Sequence, residues 1–116
     1  MEKTRDILKG YVDLILISIL RKEAMYGYKL AKEIRYLTND KFELNEATLY
    51  VALKRMEKIS LVESYWGDLV SGGGRRKYYK LTNSGKIYLE KMIEEWKFFK
   101  NIIDQVLEGD VNDQNN

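Results

Sequence analysis

Cysteine and histidine are both absent from this chain of 116 residues. Their absence excludes disulfides, thiolate and imidazole metal ligands, cysteine nucleophiles, and Ser-His or Cys-His dyads. No segment expected to form a cleft carries two carboxylates on one face, so the usual groups for general acid–base catalysis are missing as well. We therefore expect a protein that is not an enzyme and that uses no metal or cofactor.

Long apolar runs are also scarce in this chain. The longest nearly apolar stretch, residues 12–20, includes Asp13 and Ser18 and is far shorter than the roughly 20 residues of a membrane-spanning helix. The charged start, residues 1–6, leads to no cleavable signal site, so we expect a cytoplasmic location. The chain does contain 45% hydrophobic and 33% charged residues, which is enough for one packed domain.

The periodicity of the apolar residues predicts the order of the elements. Helical spacing predicts three helices, over residues 6–22, 26–37 and 45–58, the last capped by Asn45. Alternating, aromatic-rich residues predict strands over 62–66 and 75–81, joined by residues 67–74, and a last helix follows from about Ser84 to Leu107. We predict a mainly α fold with a small β-hairpin (α+β). It divides into a winged helix-turn-helix DNA-binding domain (1–81), one long C-terminal dimerisation helix (82–108) and a disordered tail (109–116).

The formal net charge of +2 is unevenly distributed. Residues 1–81 hold sixteen Lys and Arg against eleven Asp and Glu, which gives +5, whereas residues 82–116 hold four against seven, which gives −3. In a winged helix-turn-helix the third helix enters the major groove of DNA and the hairpin touches the flanking backbone. The candidate DNA contacts are therefore the basic residues on the outer face of the third helix and on the hairpin: Lys54, Arg55, Lys58, Arg75, Arg76 and Lys77.

Two other interpretations apply to these charged segments. The basic residues of the third helix are also compatible with a merely solvated face. The glycines at 72–74 beside Arg75 suggest a phosphate-binding loop, but the G-x-x-x-x-G-K-[ST] pattern and a directly following helix are missing. We therefore predict no nucleotide site.

Five short motifs carry a resemblance to a known family. They read YGY at 26–28, LNEATLY at 44–50, KRMEK at 54–58, SYWGD at 64–68 and GGRRKYYKLT at 73–82. In this order they resemble the PadR family of transcriptional regulators over most of residues 5–107, and the short chain resembles the subfamily of the multidrug-responsive repressor LmrR. The resemblance implies a homodimeric winged-helix repressor that contacts DNA through Thr48, Tyr50, Lys54 and Arg55 and through Arg75, Arg76 and Lys77.

One position departs from the family pattern. Ser60 stands where the family usually has a glycine after the third helix. A left-handed residue at the end of a helix is costly for any residue other than glycine. We therefore expect the exit from the third helix to differ.

The last helix carries an apolar stripe that the rest of the chain is too small to cover. Its length is roughly 36 Å at 1.5 Å per residue. We predict that the stripe forms a dimer interface and that the dimer binds a palindromic operator on double-stranded DNA. The residues assigned to the interface recur every three or four positions: Leu89, Met92, Trp96, Phe99, Ile103 and Val106.

Trp96 has two possible roles. It is either a large interface anchor or, as the resemblance implies, half of a tryptophan pair that holds a planar aromatic ligand at the dimer seam. Asp13 would then supply the countercharge to a cationic ligand, unless it is an ordinary solvated or hydrogen-bonded carboxylate. The predicted lining, Met92, Ile93 and Phe99 with Lys100 nearby, is bulkier and less acidic than an open pore requires, so a filled seam stays an alternative.

Two further functions stay open on the sequence alone. The protein could be a winged-helix module that uses its hairpin to bind another protein, or a DNA-binding regulator without any small-molecule ligand. A ligand, if one exists, would act by favouring one spacing of the two wings over another.

Overall fold

The structure, a computed structural model, describes the backbone of residues 2–69 and 74–115 and the side chains within 11–68 and 74–109. The elements in chain order are α1 (Glu2–Leu20), β1 (Met25–Tyr26), α2 (Gly27–Leu37), α3 (Glu46–Lys58), β2 (Val62–Leu69), β3 (Arg75–Leu81) and α4 (Asn83–Asn115). This order confirms the predicted winged helix-turn-helix with a long C-terminal helix. The predicted hairpin tip at residues 70–73 lies outside the described residues.

The sheet has three antiparallel strands in the order β1-β3-β2, one more than the sequence predicted. Strand β1 pairs Met25 with Tyr79 and Tyr26 with Tyr78. Two residues are too few to show an alternating pattern, so β1 was missed. Strands β2 and β3 pair from Val62–Leu81 outward, and an irregularity follows Trp66. Such a bulge bends and twists the strand that carries it.

The core lies between the helices and one face of the sheet. The side chains with almost no exposed surface come from α1, α2, α3, β2 and α4: Leu16, Ile17, Leu30, Ile34, Leu49, Leu53, Met56, Val62 and Leu89. Leu89 is only 1% exposed, so it belongs to the core of its own chain and is not available for the interface that the sequence assigned to it. Hydrophobic burial of this kind is the main stabilising term of the fold.

Helix α3 begins and ends at well-formed caps. The Asn45 side chain accepts a hydrogen bond from the Thr48 N–H at 2.8 Å, as the N-cap prediction required. At the other end Ser60 has φ 65°, the Ser60 N–H donates to the Glu57 carbonyl, and the Leu61 N–H donates to the Met56 carbonyl. These two bonds form a Schellman motif. The expectation of a different exit was therefore wrong, because Ser60 adopts the left-handed conformation that glycine would favour.

Helix α4 begins at a threonine cap and is longer than predicted. The Thr82 hydroxyl accepts a hydrogen bond from the Gly85 N–H and donates to the Ser60 carbonyl, which joins α4 to the end of α3. The helix continues to Asn115, whereas the sequence predicted an end near Leu107 and a disordered tail over 109–116. No proline follows Leu107, and the isolated Gly109 costs a helix only about 1 kcal/mol. None of the described helices is long and apolar enough to cross a membrane.

Candidate nucleic-acid interface

Helix α3 presents one buried face and one exposed face. Leu49, Leu53 and Met56 are buried in the core. Thr48, Val51, Arg55 and Lys58 follow one another at intervals of three, four and three residues, and all four are exposed. This spacing places them in a single stripe on the helix surface, with Lys54 beside it. The stripe has the mixed small, apolar and basic composition that a helix needs to approach base edges and phosphates.

Tyr50 occupies a different position from the other predicted contacts of α3. Its ring lies against Gly27, the first residue of α2, so closely that a Cβ atom at Gly27 would overlap the ring and hydroxyl. The side chain is nevertheless 41% exposed. Tyr50 therefore packs α3 against α2 and leaves only part of its ring for a partner, which explains why a glycine stands in the YGY motif.

Arg55 is engaged by a carboxylate of α1. Its Nη1 donates to Asp13 Oδ2 at 2.9 Å and its Nη2 donates to Asp13 Oδ1 at 2.5 Å. The Asp13 side chain is 17% exposed and that of Arg55 is 46% exposed. The hydrogen bond to Asp13 raises the pKa of Arg55 above its usual value. The predicted DNA contact and the predicted ligand countercharge are thus paired with each other.

The other two basic residues of α3 are differently placed. Lys54 and Lys58 are exposed, and neither takes part in any of the four ion pairs found among the described side chains. A lysine ammonium of this kind is a mobile point charge that can follow a phosphate without first breaking an ion pair. Among the described side chains of α3, these two lysines are therefore the basic groups that are exposed and outside the ion pairs.

The three basic residues of the wing do not share one face. Side chains alternate along β3, and Tyr79 and Leu81 are buried against the core. Arg75 and Lys77 lie on that same side of the strand, whereas Arg76 lies on the opposite side. The structure therefore divides the three predicted contacts between two faces of the wing, and a DNA duplex that contacts Arg76 approaches a different face from one that contacts Lys77.

Aromatic rings hold the wing's cations in place. The Arg76 guanidinium lies 4.4 Å from the centroid of the Tyr26 ring, and Tyr26 in turn meets Tyr78 edge to face at 5.5 Å. On the other side of β3, the Lys77 ammonium lies 5.9 Å from the centroid of the Trp66 ring. Cations over aromatic faces are stabilised by the ring quadrupole. The sequence reasoning missed these rings, although the aromatic residues of the YGY and SYWGD motifs were the available signal.

The residues predicted to form a dimer seam are mostly exposed in the single chain. Trp96 is 43% exposed and Phe99 is 60% exposed, and Ile103 and Val106 are similarly open. Met92 and Ile93 instead pack partly against the core. The predicted ligand set therefore divides: Trp96 and Phe99 project from α4, Met92 and Ile93 support the core, and Asp13 is paired with Arg55.

These features define a class of protein. Three helices with an exposed third helix, followed by a basic antiparallel wing, form a winged helix-turn-helix of the kind that binds DNA. Residues 16–91, more than half of the chain, match the model of the transcriptional regulator PadR-like family. The chain belongs to the PadR-like family of transcriptional regulators. It is accordingly a transcriptional regulator rather than an enzyme, and DNA binding is the activity that this family implies.

Individual relatives agree with this assignment. The chain is similar to a solved transcriptional regulator from Clostridium thermocellum, with 38% identity, 86% of this chain and 93% of that chain covered, and a TM-score of 0.78. It is similar to a PadR family transcription regulator from Clostridium difficile, with 48% identity, coverage of 84% and 98%, and a TM-score of 0.74. It is also 44% identical over 104 residues to an uncharacterized protein X of Lysinibacillus sphaericus, covering 90% of this chain and 94% of the relative.

Proposed function

We propose that the protein is a homodimeric repressor that binds a palindromic operator through α3 and the wing. The observation that carries this proposal is the exposed stripe of α3, with Lys54 and Lys58 outside any described ion pair. The contacts are Thr48, Tyr50, Lys54, Arg55 and Lys58 of α3 and Arg75, Arg76 and Lys77 of the wing. A regulator of chromosomal DNA would act in the cytoplasm.

Dimerisation through α4 is supported by its exposed apolar side chains. Trp96, Phe99, Ile103 and Val106 lie at intervals of three or four residues, and all are more than two-fifths exposed. Contiguous apolar surface of this kind on a helix is costly in water and marks an interface. A two-fold dimer would place its two copies of α3 about one helical turn of DNA, ~34 Å, apart.

The first experiment tests operator recognition. Duplexes selected from a random library by the full-length protein should converge on a palindrome, and footprinting should place the same sequence on genomic DNA. Lys54→Ala should weaken binding to the selected duplex by about 1–3 kcal/mol if Lys54 reaches a base edge. Lys97→Ala, which removes an exposed lysine from α4, is the matched control and should bind like the wild type. Failure to enrich any sequence at physiological salt would favour the protein-interaction module instead.

The salt dependence of the binding constant tests whether the wing contacts DNA phosphates. Arg76→Ala should reduce the slope of log K against log salt by about 0.9 for each phosphate that the variant no longer neutralises. Because Arg76 and Lys77 lie on opposite faces of β3, the two alanine variants should not be equivalent. Equal slopes for Arg76→Ala and the wild type would show that Arg76 contacts no DNA phosphate.

Release by a planar aromatic or cationic ligand is a second part of the proposal. It rests on Trp96, which is partly exposed on α4, whereas the Asp13 carboxylate is already paired and contributes less charge than the sequence suggested. Trp66 is also exposed, so the assay uses a Trp66→Phe background, in which Trp96 is the single tryptophan. A planar aromatic cation should quench its fluorescence, and isothermal titration calorimetry should show that a Trp96→Ala variant no longer binds the cation. Unchanged binding of the cation to the Trp96→Ala variant would show that Trp96 forms no ligand site, and the alternative of a regulator without this ligand would then be favoured.

A further inference from the structure

Asp13 of α1 and Arg55 of α3 form a bidentate ion pair that joins the two helices. The two hydrogen bonds, at 2.9 Å and 2.5 Å, use both terminal nitrogens of the guanidinium and both oxygens of the carboxylate. A phosphate group offers the same fork of oxygens to an arginine. In the DNA-free protein, Asp13 therefore occupies the donor groups that Arg55 would present to a DNA phosphate.

Arg55 lies where a duplex would meet it. It belongs to the exposed stripe of α3, with Val51 one turn before it and Lys58 one turn after it. Its side chain is 46% exposed, whereas the Asp13 side chain is 17% exposed and stays with α1. Arg55 is thus the more exposed member of the pair, and it already faces the side from which DNA would approach.

The surroundings of the pair leave room for movement. An open groove of about 440 Å³ runs between α1, the segment before α3 and α3 itself, and Arg55 lines it together with Val12, Thr48 and Val51. An ion pair with a half-exposed arginine is weak, because water screens the charges. Exchange of one anion for another at Arg55 therefore needs no change in the core, and the Asp13 carboxylate that it leaves behind, 17% exposed, is hydrated from the groove.

We infer that Asp13 is a positioning residue that withholds Arg55 from DNA until a phosphate replaces the carboxylate. The inference rests on the proposed binding of DNA by α3. Asp13 thereby lowers the affinity of the protein for DNA of any sequence.

The test uses the full-length protein and a labelled duplex of mixed sequence. Asp13→Asn keeps the shape of the side chain but removes its charge. We expect this variant to bind the mixed duplex roughly tenfold more tightly at low salt and to steepen the salt slope by about 0.9 per protomer. The gain should vanish when Arg55→Ala is added. Glu23→Gln is the matched control, since it makes the same change in net charge and breaks the 2.9 Å pair with Lys29 outside α3.

The remaining outcomes distinguish failure of the inference from failure of the proposed function. Wild-type affinity and slope in Asp13→Asn, weaker binding, or a gain that persists without Arg55 would each overturn the inference. If Lys54→Ala weakens binding while Asp13→Asn changes nothing, DNA binding by α3 stands and only the inference fails. If the wild type binds no duplex at all, the proposed function itself fails.

A second measurement avoids dependence on the stability of a variant. Arginine side-chain NMR of the wild-type protein should show slowed rotation of the Arg55 guanidinium, because both terminal nitrogens are bonded to Asp13. Addition of the mixed duplex should shift these resonances before those of Arg35, which lies on α2. Resonances of Arg55 that stay unchanged at saturating duplex would show that the pair with Asp13 persists on DNA, and would overturn the inference.

Discussion

Replacement of Ser60 by glycine should stabilise the protein. Ser60 is held at φ 65° by the Schellman motif that ends α3, in which the Ser60 N–H donates to the Glu57 carbonyl and the Leu61 N–H donates to the Met56 carbonyl. Its side chain is exposed, and no hydrogen bond of its hydroxyl is found among the described side chains. A Cβ atom in the left-handed region costs roughly 1–2 kcal/mol. Glycine would remove that cost at a position where the serine side chain makes no hydrogen bond of its own.

The expected gain is smaller than this cost because glycine also changes the unfolded chain. The extra freedom of glycine in the unfolded state costs about 0.4–1 kcal/mol. The net increase in the free energy of unfolding is therefore about 0.5–1 kcal/mol. For a domain of this size, that corresponds to a rise of roughly 2–5 °C in Tm. DNA affinity should not change, because α3 keeps its axis and its exposed stripe.

The assay is urea denaturation of Ser60→Gly, Ser60→Ala and wild-type protein at one fixed protein concentration, because the stability of a dimer depends on concentration. Ser60→Ala keeps the Cβ atom and removes only the hydroxyl, so it should show no gain. A midpoint for Ser60→Gly that equals or falls below that of Ser60→Ala would refute the argument from backbone conformation.

Three further predictions concern the ends of helices and the dimer. Gly85→Ala should lower the free energy of unfolding, measured by urea denaturation, by about 3 kcal/mol, because the added Cβ would collide with the backbone carbonyl of Leu61. Gly109→Ala is the control: its Cβ would meet no atom within 4 Å, so this variant should be neutral or stabilising. Asn45→Ala should cost about 0.5–2 kcal/mol by loss of the α3 cap, with Asn45→Asp as the variant that retains it. Phe99→Asp should convert the proposed dimer to monomers in sedimentation equilibrium, and a variant that stays dimeric would show that this face of α4 is not the interface.

The wing illustrates a limit of sequence reasoning. The residues of the run Arg75-Arg76-Lys77 were predicted as DNA contacts without being assigned to faces of the hairpin. In a strand, neighbours point to opposite faces, so proximity in sequence separates charges in space. The rings that hold Arg76 and Lys77 come from β1 and β2. The pairing of β1 with β3 is a long-range event that no local pattern records, whereas the hairpin of β2 and β3 was predicted without its register.

The sequence by itself determined the order of the helices, the hairpin, the cap at Asn45 and the family, because these depend on local periodicity and short motifs. Only the tertiary structure decided that Leu89 is core, that the wing has two different basic faces, and that Arg55 pairs with Asp13 across 42 positions of the chain. The absence of histidine and cysteine limited the available chemistry to fixed charges and aromatic rings. The fold then determined which of those charges are paired within the chain and which stay exposed for DNA.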